Sequence, residues 1–309
     1  MTKKTVFLFP GQGAQYVGMG KDFYDQFPIA KRTFEEADEI LSAHFSRLIF
    51  QGPENEITLT KNSQLAIYIV SIAIWRTVTE QFPELRPDVC AGLSLGEYTA
   101  LTAAGKIAFQ ECVPLVRSRA QFMHEASLNH PGTMQVVLGL APEAVEEAIR
   151  NLPKAWVANL NCPGQVVIAG TQEALAEAAS LLKEKGAKRV LSLDVSGAFH
   201  SGLMLEAQEK LAPQLNAATL LESSIEIVMN VPGNYVRSCE EIKQALLNQV
   251  TQPVLWEKGV RSIEEVEFYY EMGPGKTLSG MNKRIGTLAP TLSVEKVTDL
   301  EEIANAAIT

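Results

Sequence analysis

Apolar positions along this chain fall into two kinds of pattern: short unbroken runs, and longer stretches with a helical period. Val6-Phe7-Leu8-Phe9 is an unbroken run that stops at Pro10-Gly11-Gln12-Gly13, as a buried strand ending in a turn would. Helical spacing then covers 29–45, 63–82, 97–104 and 109–126, with Gly105 placed to cap the third of these. The most apolar segment, 65–75, is too short to span a membrane and reads as a buried helix.

The pattern changes in the middle of the chain. A strand is expected over 133–140 and a helix over 142–151, with Pro142 at its first position. Two strands, 155–161 and 164–170, are joined by Cys162-Pro163. A helix follows over 172–185, with Thr171 as N-cap and Gly186 just beyond its end, and 187–194 is a last strand. The order βαββαβ is that of a ferredoxin-like unit. Beyond it come a helix at 201–215, a strand at 226–230 and a helix at 240–250. A strand at 267–271 then runs into Gly273-Pro274-Gly275-Lys276 and another helix.

These elements predict an α/β protein. Residues 1–129 and 198–309 form a large α/β-hydrolase-like domain with a mostly parallel sheet, and residues 130–197 form an inserted ferredoxin-like small domain. In such sheets ligands bind beyond the carboxyl ends of the strands. Gly11–Gly13, Ser94 and Gly273–Lys276 all lie at strand ends, so one cleft is expected. Neither glycine-rich turn is a nucleotide loop. Tyr16 stands where a dinucleotide fingerprint needs its third glycine, and Tyr270 where a phosphate loop needs its first.

Composition narrows the function. At 309 residues, 46% hydrophobic and 20% charged, the chain is an ordinary globular protein, with no signal or transit peptide pattern ahead of the first strand. A net charge of −9 argues against nucleic-acid binding. Four scattered cysteines, without metal-ligand spacing, suit reduced thiols in the cytoplasm, and no metal is expected.

The sharpest chemical signal is Gly92-Leu93-Ser94-Leu95-Gly96, preceded by the apolar run Val89-Cys90-Ala91 and followed by a helical stretch. A serine at a tight strand-to-helix turn presents its hydroxyl at a helix N-terminus, where backbone N–H groups can hold an oxyanion. Such a serine needs a base. His44 reads as a surface residue, His124 lies on a helix and His130 in a polar turn. His200, in the small-residue loop Ser196-Gly197-Ala198-Phe199-His200-Ser201, is the candidate base. An ordinary hydrolase would place its acid and then its histidine late in the chain, but no histidine follows His200. Arg117 and Arg119 lie two residues apart on one helix, so at most one turns inward, and a buried arginine needs an anion.

Taken in order, six segments belong together. They are Gly11-Gln12-Gly13-Ala14-Gln15, Gly92-Leu93-Ser94-Leu95-Gly96-Glu97-Tyr98, Arg119, Asn159-Leu160-Asn161-Cys162-Pro163-Gly164-Gln165, Phe199-His200-Ser201 and Gly273-Pro274-Gly275-Lys276. The chain resembles the malonyl-CoA:acyl carrier protein transacylases of dissociated fatty-acid synthesis over essentially its whole length. The resemblance implies ping-pong transfer of malonyl from malonyl-CoA, through an ester on Ser94, to the phosphopantetheine thiol of holo acyl carrier protein. It implies His200 as base, oriented by the Gln249 backbone carbonyl, and an oxyanion hole from the backbone N–H groups of Gln12 and Leu95. Arg119 would pair with the malonyl carboxylate, and Asn159 and Gln64 would line the site. Phe199 would disfavour an α-methyl substituent. No cofactor beyond the two substrates is implied, nor any membrane or nucleic-acid partner, and the reading is compatible with a cytoplasmic monomer. Two positions depart from the family pattern: Leu93 stands where a histidine is common, and Leu65 where a proline is usual. The competing readings are a serine thioesterase or esterase, and an inactive carrier-binding subunit. For an acidic carrier the candidate docking residues are Lys183, Lys185, Lys188 and Arg189, or Lys276, Lys283 and Arg284.

Overall fold

The computed structural model describes residues 3–306. In chain order the strands are β1 (Lys4–Phe9), β2 (Val89–Gly92), β3 (Thr133–Leu138), β4 (Ala155–Cys162), β5 (Gln165–Gly170), β6 (Arg189–Ser192), β7 (Glu226–Met229), β8 (Asn234–Val236), β9 (Val266–Met272) and β10 (Thr291–Val294). The chain divides into two compact units.

The first unit comprises Met1–Ala120, Ala218–Val228 and Ile263–Thr309. Its strands lie in the order β10-β9-β1-β2-β7, all parallel, with Phe7 opposite Cys90 and Tyr270. Val6 to Phe9 are fully buried, which is why this strand reads as an unbroken apolar run: both faces of a parallel sheet are covered. The helix Thr60–Gln81 is buried along most of its length, as its nearly uniform apolarity requires.

One expected helix is in fact two. The 29–45 pattern resolves into Pro28–Leu41 and Phe45–Gln51, separated at Ser42, whose φ is +49°. The break is stabilised locally. The Asp38 carboxylate accepts from the Ser46 backbone N–H at 2.8 Å and from its hydroxyl at 2.5 Å, tying the end of one helix to the start of the next. The short helix Lys21–Gln26 and strands β8 and β10 are too brief to carry a period of their own.

The second unit comprises Gln121–Ala217 and Met229–Ser262. Its four-stranded sheet has the order β4-β5-β3-β6, antiparallel throughout, with Val136 opposite Val167 and Leu191. The helices Pro142–Ile149 and Gln172–Glu184 contribute Val145, Ile149, Leu175, Ala178 and Leu182 to a core shared with Val137, Val166 and Ile168. Thr171 caps the second helix, accepting from the Ala174 N–H at 3.3 Å. The sheet lies inside 130–197, but the compact unit is wider. The backbone of Val254 exchanges hydrogen bonds of 2.9 Å with Ala158 and Leu160, which binds the 229–262 segment to β4.

No helix among the described residues is long and apolar enough to cross a membrane.

Candidate active site

Ser94 sits between the end of β2 and the helix Gly96–Ala103. Its φ is +52°, a left-handed conformation that a residue with a Cβ adopts only where its surroundings enforce it. The neighbours supply that enforcement. A Cβ on Gly92 would lie 2.0 Å from the Gly96 carbonyl, and one on Gly96 would lie 2.1 Å from the Phe9 carbonyl. Strand and helix therefore approach at backbone contact on both sides of the serine. The Leu93 N–H donates to Phe9 O at 3.0 Å, fixing the turn to β1. In the turn after β1, the Gln12 side chain donates to Thr60 Oγ1 at 3.2 Å.

Arg119 is the arginine that turns inward. It is 1% exposed, whereas Arg117, on the same helix Phe109–Asn129, is exposed. Its guanidinium donates to Ser94 Oγ at 3.1 Å and to the Gln64 amide oxygen, and lies 5.5 Å from the Tyr98 ring centroid. Both of these hydrogen-bond acceptors are neutral. Burial holds the Arg119 pKa below its usual value, opposed by Tyr98 and Glu97. A cation buried beside a serine hydroxyl favours an acyl group that carries its own anion. No thiol competes as nucleophile on this strand–helix face: burial pushes Cys112 up to about 12 and Cys90 higher still.

The second unit carries His200, buried and with a φ of +57°. Nδ1 of His200 lies 2.7 Å from the Gln249 carbonyl oxygen. A carbonyl only accepts, so Nδ1 carries a proton, and in the neutral ring the lone pair is on Nε2. Gln249 is fully buried in the last turn of the helix Cys239–Gln249, and its Nε2 donates to Asn230 Oδ1 at 3.4 Å. Phe199 and Asn159 are buried in the same unit, Asn159 where β4 shifts register.

The structure thus brings Ser94, Arg119 and Gln64 together in the first unit, and His200 and Gln249 in the second. The remaining histidines lie elsewhere: His44 is exposed, His124 half-buried, and His130 exposed with Nε2 3.4 Å from Glu206. Of the basic candidates, Lys185 pairs with Glu147 at 3.1 Å and Lys276 with Asp299 at 3.7 Å. Asn230 and Glu271 escaped the sequence reading. Asn230 has no local motif. Glu271 had a signal, a carboxylate closing the aromatic run Phe268-Tyr269-Tyr270 just before Gly273-Pro274-Gly275.

The sequence pattern of the acyl transferase domain family matches residues 6–272. The malonyl CoA-acyl carrier protein transacylase of Bacillus subtilis is 43% identical over 306 residues, 96% of this chain and 95% of that one. Among solved structures, an acyl carrier protein S-malonyltransferase from Vibrio cholerae superposes with a TM-score of 0.93 at 39% identity, covering 97% of this chain and 99% of that one. A malonyl-transacylase in complex with its type II PKS acyl-carrier protein gives 0.94 at 37% identity, covering 98% and 99%. Such identity across nearly the full length of both chains means that this protein belongs to the malonyl CoA-acyl carrier protein transacylase family of acyl transferases.

Proposed function

We propose that this chain transfers the malonyl group from malonyl-CoA to the phosphopantetheine thiol of holo acyl carrier protein, by a ping-pong mechanism. The observation that carries the reading is the buried Arg119 guanidinium, 3.1 Å from Ser94 Oγ. In its planar fork the malonyl carboxylate would find two parallel hydrogen bonds, which suits guanidinium better than ammonium.

In the first half-reaction Ser94 Oγ attacks the thioester carbonyl while its proton passes to His200 Nε2. The developing oxyanion is held by the backbone N–H groups of Gln12 and Leu95. Collapse expels the CoA thiolate, which takes the proton back from His200 and leaves a malonyl-serine ester. The carrier thiol then repeats the sequence in reverse. The carbonyl of Gln249 keeps the His200 ring in one tautomer and carries the orienting role that a carboxylate has in a serine triad. Gln64 and Asn159 would line the acyl site and Phe199 would disfavour an α-methyl group. This chemistry calls on no resident cofactor. A thioesterase acting on uncharged chains would have no use for Arg119.

The same reading takes 1–129 and 198–309 as an α/β-hydrolase-like domain and 130–197 as a ferredoxin-like insert, the latter supported by a sheet order that puts the last strand, β6, beside the first, β3. It places the enzyme in the cytoplasm, with malonyl-CoA and the carrier as its partners. The exposed Lys283 and Arg284 are the favoured docking cations.

Mixing the protein with malonyl-CoA and reading intact mass tests the proposal. A gain of ~86 Da is expected for the serine ester, and none in Ser94→Ala. A stable adduct in that variant would place the nucleophile elsewhere.

A further inference from the structure

Glu271, at the end of β9, is fully buried. One carboxylate oxygen accepts from the Leu278 N–H at 2.9 Å, the other from the Ser279 N–H at 2.9 Å and the Ser293 hydroxyl at 3.0 Å. All three donors are neutral. A buried carboxylate satisfied in this way is costly unless it organises something, because burial disfavours its charge while the hydrogen bonds only partly restore it. Leu278 and Ser279 open the helix Thr277–Ile285, whose N-cap residue Lys276 makes no side-chain cap hydrogen bond. Glu271 does so from the neighbouring strand, and Ser293 ties in β10.

What this clamp encloses is the turn Gly273–Lys276. Gly273 has a φ of +141°, and a Cβ there would lie 2.6 Å from the Pro10 ring and 2.4 Å from Ser71 Oγ. A Cβ on Gly275 would lie 3.5 Å from that of Ala14. The clamped turn therefore backs the loop that starts at Pro10, which has no N–H to donate to the sheet, and that carries Gln12. We propose that Glu271 is a positioning residue for the oxyanion hole: by capping the helix after Gly273-Pro274-Gly275-Lys276 it holds that turn against Pro10 and so fixes the backbone N–H of Gln12. The inference rests on the preceding reading of Gln12 as an oxyanion donor. An oxyanion donor acts only on the tetrahedral species, so its displacement lowers kcat and spares ground-state binding.

The test measures single-turnover malonyl loading and the affinity for phenylboronic acid, whose tetrahedral serine adduct places an oxygen where the oxyanion forms. Glu271→Gln, which sets an NH2 against a backbone N–H, is expected to lower the loading kcat by about 10- to 100-fold, with KM for malonyl-CoA unchanged. Boronic acid affinity should fall by a similar factor. Gly273→Ala, which pushes on Pro10 directly, should reproduce that joint loss and serves if Glu271→Gln does not fold. Unchanged kcat in either folded variant, or a loss of kcat with boronic acid affinity intact, overturns the proposal. Ser94→Ala in parallel separates the two readings. A malonyl adduct surviving there overturns the serine mechanism itself, whereas a lost adduct beside normal Glu271→Gln kinetics overturns only the role of Glu271.

Discussion

Replacing Arg119 by methionine removes the charge and keeps most of the reach. In the parent protein the guanidinium is 1% exposed and hydrogen-bonds Gln64 and Ser94. Truncating one partner of a buried charge pair costs about 2–5 kcal/mol, because the other charge is left unpaired. With malonyl-CoA as substrate the stranded charge is the malonyl carboxylate. At about 1.4 kcal/mol per tenfold, kcat/KM for loading should fall by about 30- to 4,000-fold. Stability should respond differently. Gln64 and Ser94 each lose a donor, about 1–3 kcal/mol apiece at most, while several kcal/mol of guanidinium desolvation is relieved. The two nearly cancel, so Tm should move little. Acetyl-CoA, which carries no anion, should load at least as well as in the parent. The assay is quenched-flow loading from both thioesters, with thermal melting on the same samples. A malonyl kcat/KM within about threefold of the parent, or an equal loss for both thioesters, would refute a carboxylate partner at Arg119.

Two further outcomes follow from the same geometry. Gly96→Ala forces a Cβ to within 2.1 Å of the Phe9 carbonyl, a backbone atom that cannot yield without moving β1. A loss of about 3 kcal/mol in urea-monitored stability is expected, and a change under about 0.5 would show that strand and helix can separate. Phe199→Ser should raise methylmalonyl loading relative to malonyl, read as a ratio of kcat/KM values. A ratio that stays put would clear Phe199 of any part in α-substituent selection.

What could be read from the chain was whatever is local in sequence. Ser94 was legible because strand, turn and helix follow one another directly, and the close approach that demands glycine at 92 is made by Gly96 of that same segment, although the one that demands glycine at 96 comes from the distant Phe9 carbonyl. Thr171 and Gly186 were legible for the same reason, since a cap acts on N–H and C=O groups a few positions away. The four strands of the small sheet were legible as short apolar-rich segments between turn residues, with paired valines in β3 and β5. The split at Ser42 escaped, because an amphipathic period continues across a break that the Asp38–Ser46 bonds help to hold.

The sequence by itself determined which residue types were available for chemistry and where the chain must turn, because both follow from side chains and backbone sterics within a few positions. Helical spacing left open which of Arg117 and Arg119 faces inward; the family resemblance pointed to Arg119, and the tertiary structure supplies the physical reason. Gln64, 55 residues away, and Ser94, 25 away, supply acceptors on one side of that helix alone. The same holds for His200, whose orienting carbonyl is 49 residues off, and for Glu271, whose carboxyl oxygens accept from Leu278, Ser279 and Ser293, 7, 8 and 22 residues on. A buried polar group is stabilised by partners brought to it by packing, and no spacing rule along the chain encodes where they come from.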